Sequence, residues 1–361
     1  MSVKGKIVKA TSIASLNSIS SSSTNSEIGS PENPRSNVTF EKQSALIQAI
    51  FEKDWSEVSK ILKSNRLTGL GKCDIVSAQD NFRRTPLHAA AFVGDNTSVQ
   101  SLIDHGARIN HRDHMGMTAL HLACEQNNHE VVHQLIAHGG DCSARDRNWY
   151  SPLHIAAQNK SFESAEVIVT KVTNINIADR NGQTALHLAA ANGYKPMVSL
   201  LIDNSANIQS MDRGDRRPIH WAAAKSHLEI VQLLLEKGAD INCKDKNHQS
   251  CLHAGAAGGN QEIVNMLLEF GADPNSKDYN GDTALHIACL HGHNKVVDVL
   301  IKADAELNVK NVKGITPMHC CSMANDSKRD VNEGPEHCMQ LLIDAVEQRK
   351  ESNELLRVGL N

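Results

Sequence analysis

The residues that first suggest chemistry are histidines. His88, His121, His154, His187, His220, His253, His286 and His319 follow one another at intervals of 33 residues. An imidazole can carry a proton, bind a metal or hydrogen-bond through two opposite nitrogens, so eight in phase invite a metal or acid–base reading. Their spacing argues against it. Equivalent atoms in neighbouring layers of packed helices lie roughly 10 Å apart, whereas zinc ligands converge to about 2.1 Å from one ion. The eight cannot share an ion. A structural role is expected instead: hydrogen bonds to the Thr of the same phrase and to the backbone of the neighbouring unit. His129 and His133 have i, i+4 spacing and, with Glu130, spell His-Glu-x-x-His, but the spacing supplies no third ligand of a hydrolytic zinc site and a surface reading is favoured; His111 with His114 falls in a turn. No Walker loop, GxSxG elbow, kinase signature or CxxC pair occurs. The chain reads as no enzyme, with no metal and no cofactor.

The elements around each histidine explain its recurrence. The fullest phrase is Thr85-Pro86-Leu87-His88-Ala89-Ala90. A period of 33 carrying this phrase resembles ankyrin repeats, which implies an all-α solenoid of helix, helix and β-hairpin units. The copy at 279–311 shows the logic. Thr283 suits an N-cap, and Ala284 stands where Pro86, Pro152, Pro218 and Pro317 stand elsewhere, at the first-turn position that tolerates proline. Leu285, Ile287 and Ala288 form an inner face, and Gly292 ends the helix in a left-handed conformation. Val296-Val297 and Val299-Leu300-Ile301 build a second helix, and Asn308 to Gly314 turns out as a finger.

Residues 1–42 are a Ser-rich leader with almost no apolar periodicity, expected to be disordered; Ser30-Pro31 within it is a candidate proline-directed phosphorylation site. A degenerate capping repeat is expected over 43–80, with about eight extra residues around Arg66–Cys73. Seven regular repeats fill 81–311, and a last one spans 312–350, its second helix delayed by an inserted loop, the polar run Asn325–Asp330 followed by Gly334-Pro335. A charged tail occupies 351–361.

Composition narrows the function. The formal net charge of −4 is too small to suggest nucleic acid as a bulk electrostatic partner, and no apolar run is long enough for a signal peptide or membrane span. The nine cysteines form no framework. Cys124 and Cys289 take an Ala slot, and Cys320 and Cys321 share the last inner helix, so they read as small buried residues of a reduced, cytoplasmic or also nuclear protein. A monomeric solenoid is expected.

Recognition should lie where the scaffold does not dictate the residue. Arg147, Arg180, Arg213 and Lys246 repeat one finger position, each after an Asp (Asp146, Asp179, Asp212, Asp245). They either read an acidic strip on a partner or pair locally with that Asp ladder. A second partial column comprises Arg112, Arg145, Lys244, Lys277 and Lys310. Trp149 takes the slot of Gly116, Gly182, Gly281 and Gly314, with Tyr150 beside it; Phe82 and Tyr279 are also at tips, and Trp221 follows His220. Trp, Tyr and Arg are the usual interface anchors, though packing against the next finger remains the alternative for the Trp-Tyr pair.

Ordered variants sharpen the resemblance. Leu46 to Phe51, Arg84-Thr85-Pro86-Leu87-His88, Asp146-Arg147-Asn148-Trp149-Tyr150-Ser151-Pro152-Leu153-His154 and Asp215-Arg216-Arg217-Pro218-Ile219-His220-Trp221 occur in that order. Over about 44–345 the chain resembles the N-terminal repeats of the regulatory ankyrin-repeat subunits of serine/threonine protein phosphatase 6. The resemblance implies a partner-binding scaffold for that holoenzyme, with Phe82, Arg83, Arg84, Arg216 and Trp221 joining the residues above at the interface. The alternative is an ankyrin adaptor of another complex, in ubiquitin ligation or cytoskeletal or membrane-protein anchoring.

Overall fold

The computed structural model describes residues 45–67, 76–327 and 334–358. The leader, its Ser30-Pro31 and most of the two inserted stretches lie outside the described residues. Helices α1 (45–51) and α2 (Trp55–Leu67) come first. Seven units follow, each with an inner and an outer helix. The inner helices are α3 (Pro86–Val93), α5 (Ala119–Glu125), α7 (Pro152–Asn159), α9 (Ala185–Asn192), α11 (Pro218–Ala224), α13 (Cys251–Gly258) and α15 (Ala284–His291). The outer ones are α4 (Asn96–Asp104), α6 (His129–Ala137), α8 (Phe162–Val169), α10 (Lys195–Asp203), α12 (Leu228–Glu236), α14 (Gln261–Glu269) and α16 (Asn294–Lys302). Helices α17 (Pro317–Ser327) and α18 (Gly334–Val358) close the stack. Gly334-Pro335, read from sequence as part of the loop, start α18, and the stretch read as a tail from 351 continues that helix to Val358.

The phrase specifies the start of each inner helix. Thr85, Thr118, Thr184 and Thr283 are N-caps in extended conformation, with His88, His121, His187 and His286 at N3. Histidine here takes the part that Glu or Gln plays in a capping box: its side chain accepts the N-cap amide. The short helices gain little from propensity and depend on packing. Leu87, Leu120, Leu153, Leu186, Ile219, Leu252 and Leu285, each one residue before a histidine, are buried, as are the alanines two residues after it in most repeats. Inner helices pack on inner and outer on outer, so one core runs through the seams between units. Small residues on the inner face let those helices approach closely.

The fingers contain no regular strand among the described residues, only the isolated bridge Lys244–Ser250. They are tied by a sparser device. A backbone amide in each finger donates to a carbonyl of the preceding one: Arg147 to Met115, Arg180 to Asn148, Arg213 to Asn181, Lys246 to Gly214, Tyr279 to Asn247 and Val312 to Asn280, at 2.8–3.0 Å.

Candidate interaction edge

The first constraint on the finger edge is the Asp ladder. Asp113, Asp146, Asp179, Asp212, Asp245 and Asp278 are buried, and one carboxylate oxygen of each accepts two backbone amides of its own turn. For Asp146 the donors are Asn148 and Tyr150, at 2.7 and 2.8 Å; for Asp179 they are Asn181 and Gln183, at 2.8 and 2.7 Å. Each Asp thus folds the tip into a tight turn. Burial raises the carboxyl pKa of Asp146 and Asp179 above its ordinary range, against those amide bonds, which hold it down.

This decides between the two readings of the basic column. Local pairing with the Asp ladder does not occur. Arg147, Arg180, Arg213 and Lys246 are exposed, and none belongs to an ion pair among the described residues. Their amides are fixed by the inter-finger bonds, so their side chains leave the edge at one repeat spacing. Lys246 lays its Nζ on the Arg213 carbonyl at 2.6 Å. In the second column, Arg112 donates to the Arg145 carbonyl at 2.6 Å and Lys244 to the Lys277 carbonyl at 3.4 Å.

Other predicted anchors are engaged locally. Arg84 pairs with Asp80 at 2.7 Å and lies over the Phe82 ring at 4.9 Å. Arg216 pairs with Asp212 at 3.2 Å and stacks on Trp221 at 4.3 Å, while the Trp221 indole donates to the same carboxylate at 3.1 Å. Trp221 is therefore held beneath the edge rather than presented at a tip. Arg83 is exposed with φ of 59°.

The Trp-Tyr pair divides. Trp149 is 46% exposed, with the Arg145 guanidinium 5.2 Å from its ring centre. Tyr150 turns inward and stacks flat on His154, centroids 5.7 Å apart. Trp149 also has φ of 68°, in the slot where Gly116 and Gly182 have 79° and 78°. A left-handed backbone under a bulky side chain costs about 1–2 kcal/mol; Arg83, Asp215 and His248 take the same backbone in the same slot, so what sets Trp149 apart is the exposed aromatic ring. Tyr279 is 72% exposed, its ring edge-on to His248, and Phe82 tilts against His114.

Toward the C-terminal end the same columns turn apolar, a change the sequence reading missed. The slot of Arg147 and Arg213 is filled by Tyr279 and then Val312. The slot four after the phrase histidine holds Phe92 in the first copy, then Glu125, Gln158, Ala191, Ala224 and Ala257, and Leu290 and Met323 in the last two. Leu290, Val312 and Met323 are exposed and line a cavity of about 250 Å³ with Tyr279 and Ile287. Aligning the repeats column by column would have exposed this switch.

The phrase histidines lie behind the edge. Nδ1 of His121 accepts the Thr118 amide at 3.1 Å, and Nε2 faces the Tyr150 carbonyl of the next finger at 3.0 Å. A donor at one nitrogen and an acceptor at the other permit only the Nε2–H tautomer. The same contacts join His88 to Met117, His154 to Gln183, His187 to Arg216, His253 to Asp282 and His286 to Ile315. Desolvation lowers the pKa of these rings, to about 4 for His121 and His154, so they are neutral at pH 7. His220 differs: Nδ1 keeps the Arg217 amide at 3.1 Å, but Cys243 Sγ lies 3.8 Å from each ring nitrogen. In contact with Cys251, and beside that ring and the Arg217 charge, the Cys243 thiol is lowered to about 5 against the burial that raises it.

Sequence comparison agrees with this architecture. Residues 46–148, 89–179, 153–245, 230–311 and 252–354 match the family of ankyrin repeats, three copies to a match. The chain is an ankyrin-repeat protein. Among solved structures it is similar to the ankyrin repeat domain of Bcl-3, a member of the IkappaB protein family, with 29% identity and a TM-score of 0.52. That similarity covers 63% of this chain and 98% of the Bcl-3 chain. A search of the curated proteins returned no match. An ankyrin stack is a scaffold for protein–protein contact, and no helix among the described residues of this one is long and apolar enough to cross a membrane.

Proposed function

We propose that this ankyrin stack is a non-catalytic scaffold that reads an acidic segment of a partner protein along its finger edge. One observation carries the reading: Arg147, Arg180 and Arg213 are exposed and unpaired because the neighbouring aspartates are consumed inside the turns. Trp149 anchors the same stretch of edge, and the apolar end at Tyr279, Leu290 and Val312 takes an apolar continuation of the partner. The finer reading is a regulatory or substrate-recruiting subunit of the protein phosphatase 6 holoenzyme, in the cytoplasm or also the nucleus. It is supported by the ordered variants around Trp149 and Arg216-Arg217, and by nothing in the comparisons.

Binding of the full chain to purified phosphatase 6 catalytic subunit, alone and with its partner subunits, tests the finer reading by biolayer interferometry. Absence of binding in all combinations eliminates it and leaves an adaptor of another complex. The edge is tested on whichever partner binds, with the triple variant Arg147→Glu, Arg180→Glu, Arg213→Glu. Three exposed reversals are expected to cost about 1–3 kcal/mol, roughly a fivefold to 150-fold loss. An unchanged Kd rejects the edge as the recognition surface.

A further inference from the structure

Three departures from the repeat meet at one seam. The position 23 after the phrase histidine holds His111, Ala144, Ile177, Ser210, Ser276 and Val309, and once a cysteine, Cys243. The first helical position holds Pro86, Ala119, Pro152, Ala185, Pro218, Ala284 and Pro317, and once a cysteine, Cys251. Both cysteines fall beside His220, the phrase histidine in the interior of the stack with no finger carbonyl on Nε2. The Cys243 and Cys251 sulfurs are 3.5 Å apart. All three ligand atoms lie within 4.8 Å of one another, and it is the one such group of potential metal ligands among the described residues.

We propose that His220, Cys243 and Cys251 bind one thiophilic d10 metal ion, zinc(II) or copper(I). Ligand chemistry supports it, since two thiolates and an imidazole suit these ions and not calcium or magnesium. Distances support it as well. Zinc–sulfur and zinc–nitrogen bonds of about 2.3 and 2.0–2.1 Å put tetrahedrally placed ligands about 3.8 Å (S to S) and about 3.6 Å (S to N) apart. The Cys243–Cys251 and Cys243–His220 separations of 3.5 and 3.8 Å are each within about 0.3 Å of those values, and the third, Cys251 to the His220 ring, lies within 4.8 Å. Two thiols release two protons: the thiolates neutralise zinc(II), while with copper(I) one negative charge remains, facing the Arg217 guanidinium.

Binding changes the histidine. Ligation through Nε2 moves its proton to Nδ1, and the Arg217 amide loses its acceptor. A small rotation about the Cβ–Cγ bond is also needed, because the sulfur is now equidistant from both nitrogens. This repeat tolerates the change best. Arg217 replaces the Thr or Ser whose hydroxyl contacts the ring elsewhere, and no finger carbonyl has to be surrendered. Copper(I) is satisfied by three ligands; zinc(II) takes its fourth from outside the triad.

The test uses the full chain, reduced and handled without oxygen. Cobalt(II) is the optical probe, with zinc(II) and then copper(I) as competitors. The expected result is a thiolate-to-cobalt absorption band that saturates at one equivalent and is displaced by at least one competitor; which one displaces at stoichiometric concentration identifies the ion. Cys243→Ser and Cys251→Ala install residues found at the same positions of other repeats, Ser210 and Ser276 or Ala119 and Ala185, so both variants keep the fold. Each should weaken binding by more than the tenfold to hundredfold that loss of a mere supporting partner costs. Circular dichroism checks that the variants are folded. The proposal is overturned if wild type shows no thiolate–cobalt band, or if the band survives in both variants. It is equally overturned if the two thiols are found joined as a disulfide in freshly isolated protein that binds no metal after reduction.

Discussion

Replacing His121 by Leu isolates what the phrase histidine does. The ring is buried and completes three contacts: the Thr118 amide at 3.1 Å and hydroxyl at 2.9 Å on Nδ1, and the Tyr150 carbonyl at 3.0 Å on Nε2. In His121→Leu the Thr118 amide is left buried without an acceptor, which costs about 1–3 kcal/mol. The Tyr150 carbonyl keeps the Asp146 amide, so its loss is one net hydrogen bond, about 1 kcal/mol. The sum is about 2–4 kcal/mol. His319 supplies the internal control. Its Nδ1 accepts the Thr316 amide at 3.3 Å and contacts the hydroxyl at 2.7 Å, but the ring is exposed and no finger carbonyl meets its Nε2 among the described residues. His319→Leu should cost under about 1 kcal/mol, because water can replace the lost partner. Urea unfolding followed by circular dichroism reads the two losses, and hydrogen exchange over 113–155 locates the first, since repeat stacks unfold in parts. Equal losses in the two variants would refute the argument that the seam, and not the local cap, makes the histidine valuable.

Two further outcomes follow from the same geometry. Acidification should weaken the stack. His121 and His154 titrate near 4 when folded, against an ordinary 6.5, so between pH 6.5 and 4 the unfolded chain binds more protons. Each ring then contributes stability that is complete above 6.5 and falls by up to about 1.4 kcal/mol per pH unit below it. The raised carboxyls of Asp146 and Asp179 act in the opposite sense, so the net slope is smaller. Urea midpoints at pH 7.5, 6 and 5 check this, and a flat series would contradict it. Trp149→Gly should leave thermal stability unchanged or raise it, because relief of the left-handed strain at φ 68° offsets the lost Arg145 contact. Partner affinity should fall at least about tenfold. A marked drop in Tm with unaltered affinity would make Trp149 a packing residue.

The repeat was legible in the residues alone because each unit obeys local rules. Thr85 to Ala90 caps a helix, starts it with proline and supplies its apolar face, and an interval of 33 repeats those instructions in register. The exposed placement of Arg147, Arg180 and Arg213 could also be expected from their finger slot. Their freedom from the adjacent aspartates could not. Adjacent letters look like an ion pair, and only the folded turn shows that Asp146 and Asp179 face inward to backbone amides. Tyr150 and Trp149 are likewise neighbours in sequence, yet the left-handed backbone at 149 sends one ring outward and the other onto His154. His220, Cys243 and Cys251 stand 23 and 8 residues apart, which matches no familiar metal motif. They meet because stacking sets the finger of one repeat and the helix start of the next against the same ring. Within a unit, sequence distance and spatial distance run together; across the seam they do not, and there the tertiary structure alone decides which side chains meet.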